Sequence, residues 1–150
     1  MPIGNTGYEL IITGIVAAVL AQIMKFTGHI IRFKEINLSV LFTTGGMPSS
    51  HSAGVCAMAT SAGLISGFNS VDFAIATGLA LVVMYDAAGI RRAAGKMAVT
   101  LNKIMEDVYE HRHQEAGEKL KELLGHTPFE VFVGSVWGIF VAWAIHLCVI

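Results

Sequence analysis

The chain has 150 residues, of which 54% are hydrophobic and only 14% are charged, whereas soluble domains average about 25% charged residues. The mean hydropathy is +0.64, and this deficit of charge favours a single membrane-embedded domain over residues 1–150 rather than a soluble core. The net charge of −1 says nothing about a nucleic-acid partner, but the sequence has no basic stripe with interleaved aromatic residues, so none is expected. The cysteines, Cys56 and Cys148, lack a CxxC spacing and are expected to be small buried hydrophobic residues.

Four apolar runs predict an all-α membrane bundle of about four transmembrane helices. The first run covers 8–26, with its only charged residues, Glu9 and Lys25, at its ends. The second run, 53–68, is rich in small residues that let membrane helices pack closely, so we place it at the centre of the bundle. The third run covers 71–90 and the fourth 128–150. Between these two, apolar residues of 93–113 recur at three- and four-residue steps, which predicts an amphipathic helix on the cytoplasmic side.

The basic residues are confined to two segments, one around the loop after the first run and one between the third and fourth runs. Because Lys and Arg favour cytoplasmic loops, both segments are predicted to be cytoplasmic and both termini to lie on the opposite side. We therefore expect an integral protein of the plasma (inner) membrane. This topology brings the following candidate residues to the cytoplasmic face: Lys25, His51, Arg91, Arg92 and His126.

The segment Gly45-Gly46-Met47-Pro48-Ser49-Ser50-His51-Ser52 directly precedes the second apolar run. Its glycines and proline break regular structure, and its serines are good N-cap residues, so a helix is predicted to begin here. The free N–H groups of a helix N-terminus, with hydroxyls and an imidazole beside them, suit a phosphate. The alternative is an ordinary helix start with a polar histidine in its first turn.

A second polar motif, Gly125-His126-Thr127-Pro128-Phe129-Glu130, precedes the fourth run. If one helix face holds both His126 and Glu130, the carboxylate can accept a hydrogen bond from one ring nitrogen, which leaves the other nitrogen as an unprotonated nucleophile or base. The alternative is a capping histidine followed by a glutamate in the favourable first turn.

These motifs resemble those of a known superfamily. Pro48-Ser49-Ser50-His51 is similar to the Pro-Ser-Gly-His motif of the type 2 phosphatidic acid phosphatases and vanadium haloperoxidases, and His126-x-x-x-Glu130 to their His-x-x-x-Asp. Together with Tyr85-Asp86-Ala87-Ala88-Gly89-Ile90-Arg91-Arg92, they most closely resemble the divergent acid phosphatase/vanadium-dependent haloperoxidase-related membrane family, the YuiD-like group. The resemblance covers nearly the whole chain.

The resemblance implies a phosphatidic acid phosphatase type 2-like bundle and a role for each matching position. His126 would attack phosphorus, Glu130 would orient the His126 ring, and His51 would protonate the leaving oxygen. The phosphate would be bound by Lys25, Ser49, Ser50 and Arg91 or Arg92. No metal or other cofactor is required. The chain departs from the superfamily pattern at three positions, since Leu120 would be arginine, Ser50 glycine and Glu130 aspartate. It also lacks the Lys-x6-Arg-Pro sequence, because Lys25 is followed seven residues on by Arg32 and then by Phe33.

Two functions therefore compete. The first is a metal-independent phosphatase that hydrolyses a lipid phosphate or diphosphate through a phosphohistidine. The second is a non-catalytic membrane protein that binds or transports a phosphate-bearing lipid or an anion. Asp86 lies in or at the end of an apolar run, where an ionisable side chain either contacts substrate or forms a structural ion pair. The expected partners are the lipid phosphate substrate and the surrounding membrane lipids. A chain this short is also a candidate for a homo-oligomer.

Overall fold

The computed structural model describes residues 4–38, 45–112 and 125–149, and this part of the chain is helical, without strands. Its five helices follow one another in the order α1 (Gly7–Phe33), α2 (Ser50–Ser66), α3 (Val71–Ala88), α4 (Ile90–Arg112) and α5 (Pro128–Val149). The predicted all-α architecture is therefore confirmed.

Helix α1 is longer than its apolar run, since it continues through residues 27–33, which include the polar Thr27, His29 and Arg32. The hydroxyl of Thr27 donates to the carbonyl of Ile23 within the helix, and no proline interrupts the turns that follow. The helix ends at Lys34, which adopts the left-handed conformation and donates its N–H to Ile30. Lys25 consequently lies about two turns before the end of α1 instead of at its end.

Among the described residues, three stretches are long and apolar enough to cross a membrane, namely Gly7–Phe33, Val71–Glu106 and Pro128–Val149. Helix α2 has 17 residues and is about 26 Å long, slightly less than the roughly 30 Å hydrocarbon layer. It packs against α1, α3 and α5. The prediction that the small-residue run lies at the centre of the bundle is therefore confirmed.

Helix α5 approaches α2 through Gly134 and Gly138, which are one turn apart. A Cβ atom at Gly138 would overlap the backbone oxygen of Ala53, and one at Gly134 would overlap that of Ser49. Because lipid tails are as apolar as the protein interior, such close van der Waals packing is a main source of helix association in a membrane. The core beside these glycines is also built from small residues, together with one valine: Ala17, Ala21, Ala53, Ala57, Val141 and Ala142.

Large apolar side chains point outward from the bundle, as expected for a surface in contact with lipid; Ile15, Val82 and Phe140 are examples. Helix α4 follows α3 directly after Gly89 and packs against it. The expectation for the cysteines is half correct. Cys56 is buried, but Cys148 is exposed because it lies in the last turn of α5 on a side that no described helix covers.

Candidate active site

The loop before α2 is held in place by its first serines. Gly45 and Gly46 turn the chain with φ angles of 126° and 82°, which L side chains rarely adopt. Ser49 caps α2, since its Oγ accepts hydrogen bonds from the N–H of Ser52 at 3.3 Å and from the hydroxyl of Ser52 at 2.9 Å. Ser49 is fully buried. Because its Oγ already accepts two hydrogen bonds and its N–H donates to the carbonyl of Glu130, the donor that it could offer to a phosphate is its O–H. Ser50 donates to Oε1 of Gln22 at 2.8 Å, which ties the start of α2 to α1.

The start of α5 is a capping box. The N–H of Glu130 donates to Oγ1 of Thr127 at 3.3 Å, and Oε2 of Glu130 accepts from the N–H of Thr127 at 3.1 Å. The same Oε2 lies 3.2 Å from Nδ1 of His126. The structural and functional interpretations of this motif therefore hold together, because one carboxylate both caps the helix and orients the imidazole.

The two motifs are joined through the main chain. The N–H of Ser49 donates to the carbonyl of Glu130 at 3.1 Å, and Gly134, one turn further along α5, lies against the backbone of Ser49. This contact brings the rings of His51 and His126 to a centroid separation of 6.4 Å in an edge-on arrangement. At this distance both rings can reach one tetrahedral anion.

Lys25, on α1, belongs to the same cluster as His51, His126 and Glu130. Its side chain is only 7% exposed, and its aliphatic part packs against Gly46, where an added Cβ would be 3.3 Å from Cδ. Its charge is close enough to act electrostatically on His126 and Glu130. A cavity of about 410 Å³ opens beside it, and its lining includes His29, Arg32 and Met47. The site therefore has a cationic side.

His126 is 2% exposed, and this burial lowers the pKa of its ring from the ordinary value of 6.5 because the charged imidazolium is poorly solvated. Glu130 and the Gly46 backbone oppose this shift, whereas the charge of Lys25 adds to it. At neutral pH the ring is neutral. With Nδ1 donating to Glu130, Nε2 carries the lone pair, and it is buried without a hydrogen-bond partner among the described residues.

The remaining predicted residues are located only by their position along the chain. Asp86 is half-buried in the last turn of α3, and its role stays a prediction. Arg91 and Arg92 are in the first turn of α4, and their side chains lie outside the described part of the structure. The phosphate-binding roles of the two arginines also stay predictions. Leu120 lies outside the described residues.

Three residues that support the site were not singled out from the sequence. Thr127 could have been found, because Thr-x-x-Glu before an apolar run is a capping-box signature. Gly134 belongs to a Gly-x-x-x-Gly pattern, which is typical of close membrane helix contacts. Gln22 carries no such signal, since its role depends on the position of α1 beside Ser50.

Within the described ranges, no group of three or more His, Cys, Asp or Glu side chains could hold a metal ion. The groups that converge at the site are two imidazoles, a carboxylate and an ammonium group, together with the backbone N-terminus of α2. Such a set can bind a phosphoryl group, donate a proton to it and attack it.

The fold and site define an all-helical membrane protein with a paired-histidine site, and the chain belongs to the Divergent PAP2 family, whose model matches residues 7–141. It is 38% identical over 139 residues to the uncharacterized membrane protein YuiD of Bacillus subtilis (strain 168), an alignment that covers 86% of this chain and 88% of YuiD. No solved structure matches the chain. The family resemblance inferred from the motifs is therefore confirmed.

Proposed function

We propose that the protein is a metal-independent membrane phosphatase that hydrolyses a lipid phosphate or diphosphate through a phosphohistidine intermediate. The observation that carries the proposal is the state of His126. Its Nδ1 is bound to Glu130, and its buried Nε2 is left without a partner among the described residues, next to the ring of His51. A nucleophilic imidazole needs this arrangement, with one nitrogen fixed as a donor and the other free to attack.

In the first step, the lone pair of His126 Nε2 forms a bond to phosphorus while the ester P–O bond breaks. His51 gives its proton to the leaving oxygen, so the alcohol departs neutral. The Nδ1–H of the phosphohistidine stays hydrogen-bonded to Glu130, whose charge stabilises the cationic ring. Lys25 and the N-terminus of α2 offset the negative charge on the phosphoryl oxygens.

In the second step, water attacks phosphorus and gives its proton to His51. The N–P bond breaks, its electrons return to Nε2, and inorganic phosphate leaves. Both histidines are then restored to their starting protonation states. The membrane setting favours a lipid substrate, because a site at the interface takes its phosphate from water while the chains remain in lipid.

The test is phosphate release from a panel of lipid phosphates and diphosphates by detergent-purified protein in the presence of EDTA. Wild type is compared with His126→Ala and His51→Ala. Ser135→Ala is the matched control, since its hydroxyl donates to the carbonyl of Phe132 within α5 and has no other bond among the described residues. We expect both histidine variants to lose at least about 10²-fold in rate while the control keeps full activity.

The two histidines are distinguished by trapping. Acid-labile, base-stable phosphoprotein should form with wild type and disappear in His126→Ala. With a substrate whose leaving group needs no proton, such as p-nitrophenyl phosphate, His51→Ala should form phosphoprotein that turns over slowly. Folded wild-type protein that releases no phosphate but binds inorganic phosphate or a lipid phosphate would support the competing function, a non-catalytic binder or transporter.

A further inference from the structure

A groove of about 520 Å³ runs between α1 and α2, and its lining changes character along its length. At one end it is bounded by Gln22, Ser50 and His51. The rest of the groove is lined by apolar and glycine residues of the two helices: Ile11, Gly14, Ile15, Ala18, Val19, Gly54, Val55 and Met58. Its polar end is therefore part of the histidine cluster, and its apolar end leads away from it.

The floor of this α1–α2 groove forms where the two backbones come close together. An added Cβ at Gly54 would lie 3.3 Å from the carbonyl oxygen of Gly14. Its walls are open to lipid, since Ile15 is 59% and Val19 51% exposed. A narrow, open-sided groove of this kind can be entered sideways from the bilayer.

We propose that the α1–α2 groove holds one hydrocarbon chain of the lipid phosphate whose phosphate is at His51 and His126. This proposal rests on the proposed function and adds a chain-binding subsite to it. From Ile11 to Gln22 the groove follows twelve residues of α1, a rise of about 16 Å, which is close to half of the roughly 30 Å hydrocarbon layer. The groove thus has the length of one leaflet, as a chain that starts at the interface requires.

The polar end distinguishes this occupant from a packed helix of a second copy. A helix that filled the groove would cover His51, Ser50 and Gln22 with its own side chains. A lipid phosphate instead places its anionic group at this end, next to the buried Nε2 of His126 that lacks a partner among the described residues. Only the lipid is apolar where the groove is apolar and anionic where the groove meets the cluster.

The groove orients the substrate more than it adds affinity. Moving a chain from lipid tails into an apolar groove gains little from the hydrophobic effect, because both surroundings are apolar. Fixing the chain limits the positions of the phosphate to those in front of His126, which favours reaction through orientation. Filling the groove should therefore lower kcat for long-chain substrates with little effect on short-chain ones.

The experiment uses the full chain in nanodiscs with a hexadecyl phosphonate that carries a mid-chain diazirine. We expect photolabelling to concentrate on the lining residues of α1 and α2 and to be displaced by unlabelled hexadecyl phosphate. Val19→Trp, which fills the groove from its exposed wall, should reduce labelling by about tenfold. Ile23→Trp is the matched control, since Ile23 is also 51% exposed on α1 but does not line the groove.

Labelling spread evenly over the lipid-facing sides of α1, α3 and α5 would overturn the proposal. The proposal would also be overturned if Val19→Trp reduced labelling only because it dissociated a dimer, which light scattering measures. Photolabelling does not depend on turnover, so focused labelling without hydrolysis would contradict the proposed function and leave the subsite standing. In an active enzyme, Val19→Trp should lower kcat for hexadecyl phosphate by about tenfold relative to butyl phosphate, and equal effects on both substrates would contradict the orienting role.

Discussion

Glu9 in the first turn of α1 and His146 in the last turn of α5 form a buried pair, with Oε1 2.6 Å from Nδ1 across 137 sequence positions. Glu9 is completely buried, and its second oxygen accepts from the N–H of Asn5 at 2.7 Å. The pair joins the first and last helices at the end of the bundle away from the two catalytic candidates. The proposed reaction does not involve this pair, and its role is to hold α1 against α5.

We expect His146→Leu to lower the free energy of unfolding by about 3 kcal/mol, because it leaves the Glu9 carboxylate buried without its imidazole partner. The double variant Glu9→Leu/His146→Leu should be more stable than His146→Leu, since it no longer buries a carboxylate without its imidazole partner; the N–H of Asn5 loses its acceptor, but Asn5 is exposed to solvent. Unfolding by SDS in mixed micelles measures all four proteins as a double-mutant cycle. Additive effects of the two substitutions would show that the pair does not couple α1 to α5.

The approach of α5 to α2 predicts a sharp difference between two glycines. Gly138→Ala should destabilise the bundle by about 1–3 kcal/mol, because the new methyl group must displace the backbone of Ala53. Gly78→Ala is the control, since its added Cβ meets nothing within 4 Å, and it should change stability by less than about 1 kcal/mol, in the stabilising direction. Equal effects in thermal unfolding would contradict the packing described for α5.

The pH dependence of hydrolysis reports on His126. Because the neutral ring is the proposed nucleophile and burial lowers its pKa, the acid limb of kcat/KM should lie below pH 6.5, the ordinary pKa of histidine. Folding stability follows the same direction. The unfolded chain binds the proton more readily, so this histidine favours folding fully above pH 6.5 and progressively less as the pH falls towards its folded-state pKa.

Glu130→Gln separates the orienting role of this residue from its capping role, since glutamine also completes a capping box. The substitution removes a charge that raises the pKa of His126, so the acid limb should move to lower pH. The plateau rate should fall by about 10²-fold, because the cationic phosphohistidine loses its counter-charge. A normal rate with an unshifted limb would show that Glu130 serves only the helix start. Thermal unfolding checks that the variant remains folded.

The proposed membrane orientation is tested by single cysteines at Ser70, in the α2–α3 turn, and at Lys103, on α4. The background is Cys148→Ser, because Cys148 is exposed whereas Cys56 is buried. In intact cells, a membrane-impermeant maleimide should label Ser70→Cys directly and Lys103→Cys only after permeabilisation, as the distribution of basic residues predicts. Labelling of both from the same side would overturn the topology.

Local sequence chemistry was enough to predict where helices begin. Ser49 and Pro128 mark the starts of α2 and α5, and the structure has both helices there. It was not enough for the end of α1, because Thr27, Gly28 and His29 interrupt the apolar run but are still compatible with a helix. A composition-based boundary follows the edge of the membrane, whereas the helix ends only where its backbone leaves the helical conformation at Lys34.

Relationships between distant residues were less predictable. Charge bias indicated that His51 and His126 share one face of the membrane, but not that their rings lie 6.4 Å apart. Likewise, the burial of His146 against Glu9 depends on how α1 and α5 pack. Such contacts are set by small residues along whole helices, which local patterns do not specify.

The hydrogen bond from the N–H of Ser49 to the carbonyl of Glu130 is made entirely by peptide groups. Its donor and acceptor persist when side chains are exchanged, whereas a change that alters the main chain, such as Ser49→Pro, removes the donor. The helices that carry His51 and Glu130 are thus joined by a bond that uses none of the proposed reacting side chains. Because Ser49 caps α2 and Thr127 with Glu130 caps α5, a new reactive group can be installed at His51 by mutagenesis without removing either cap.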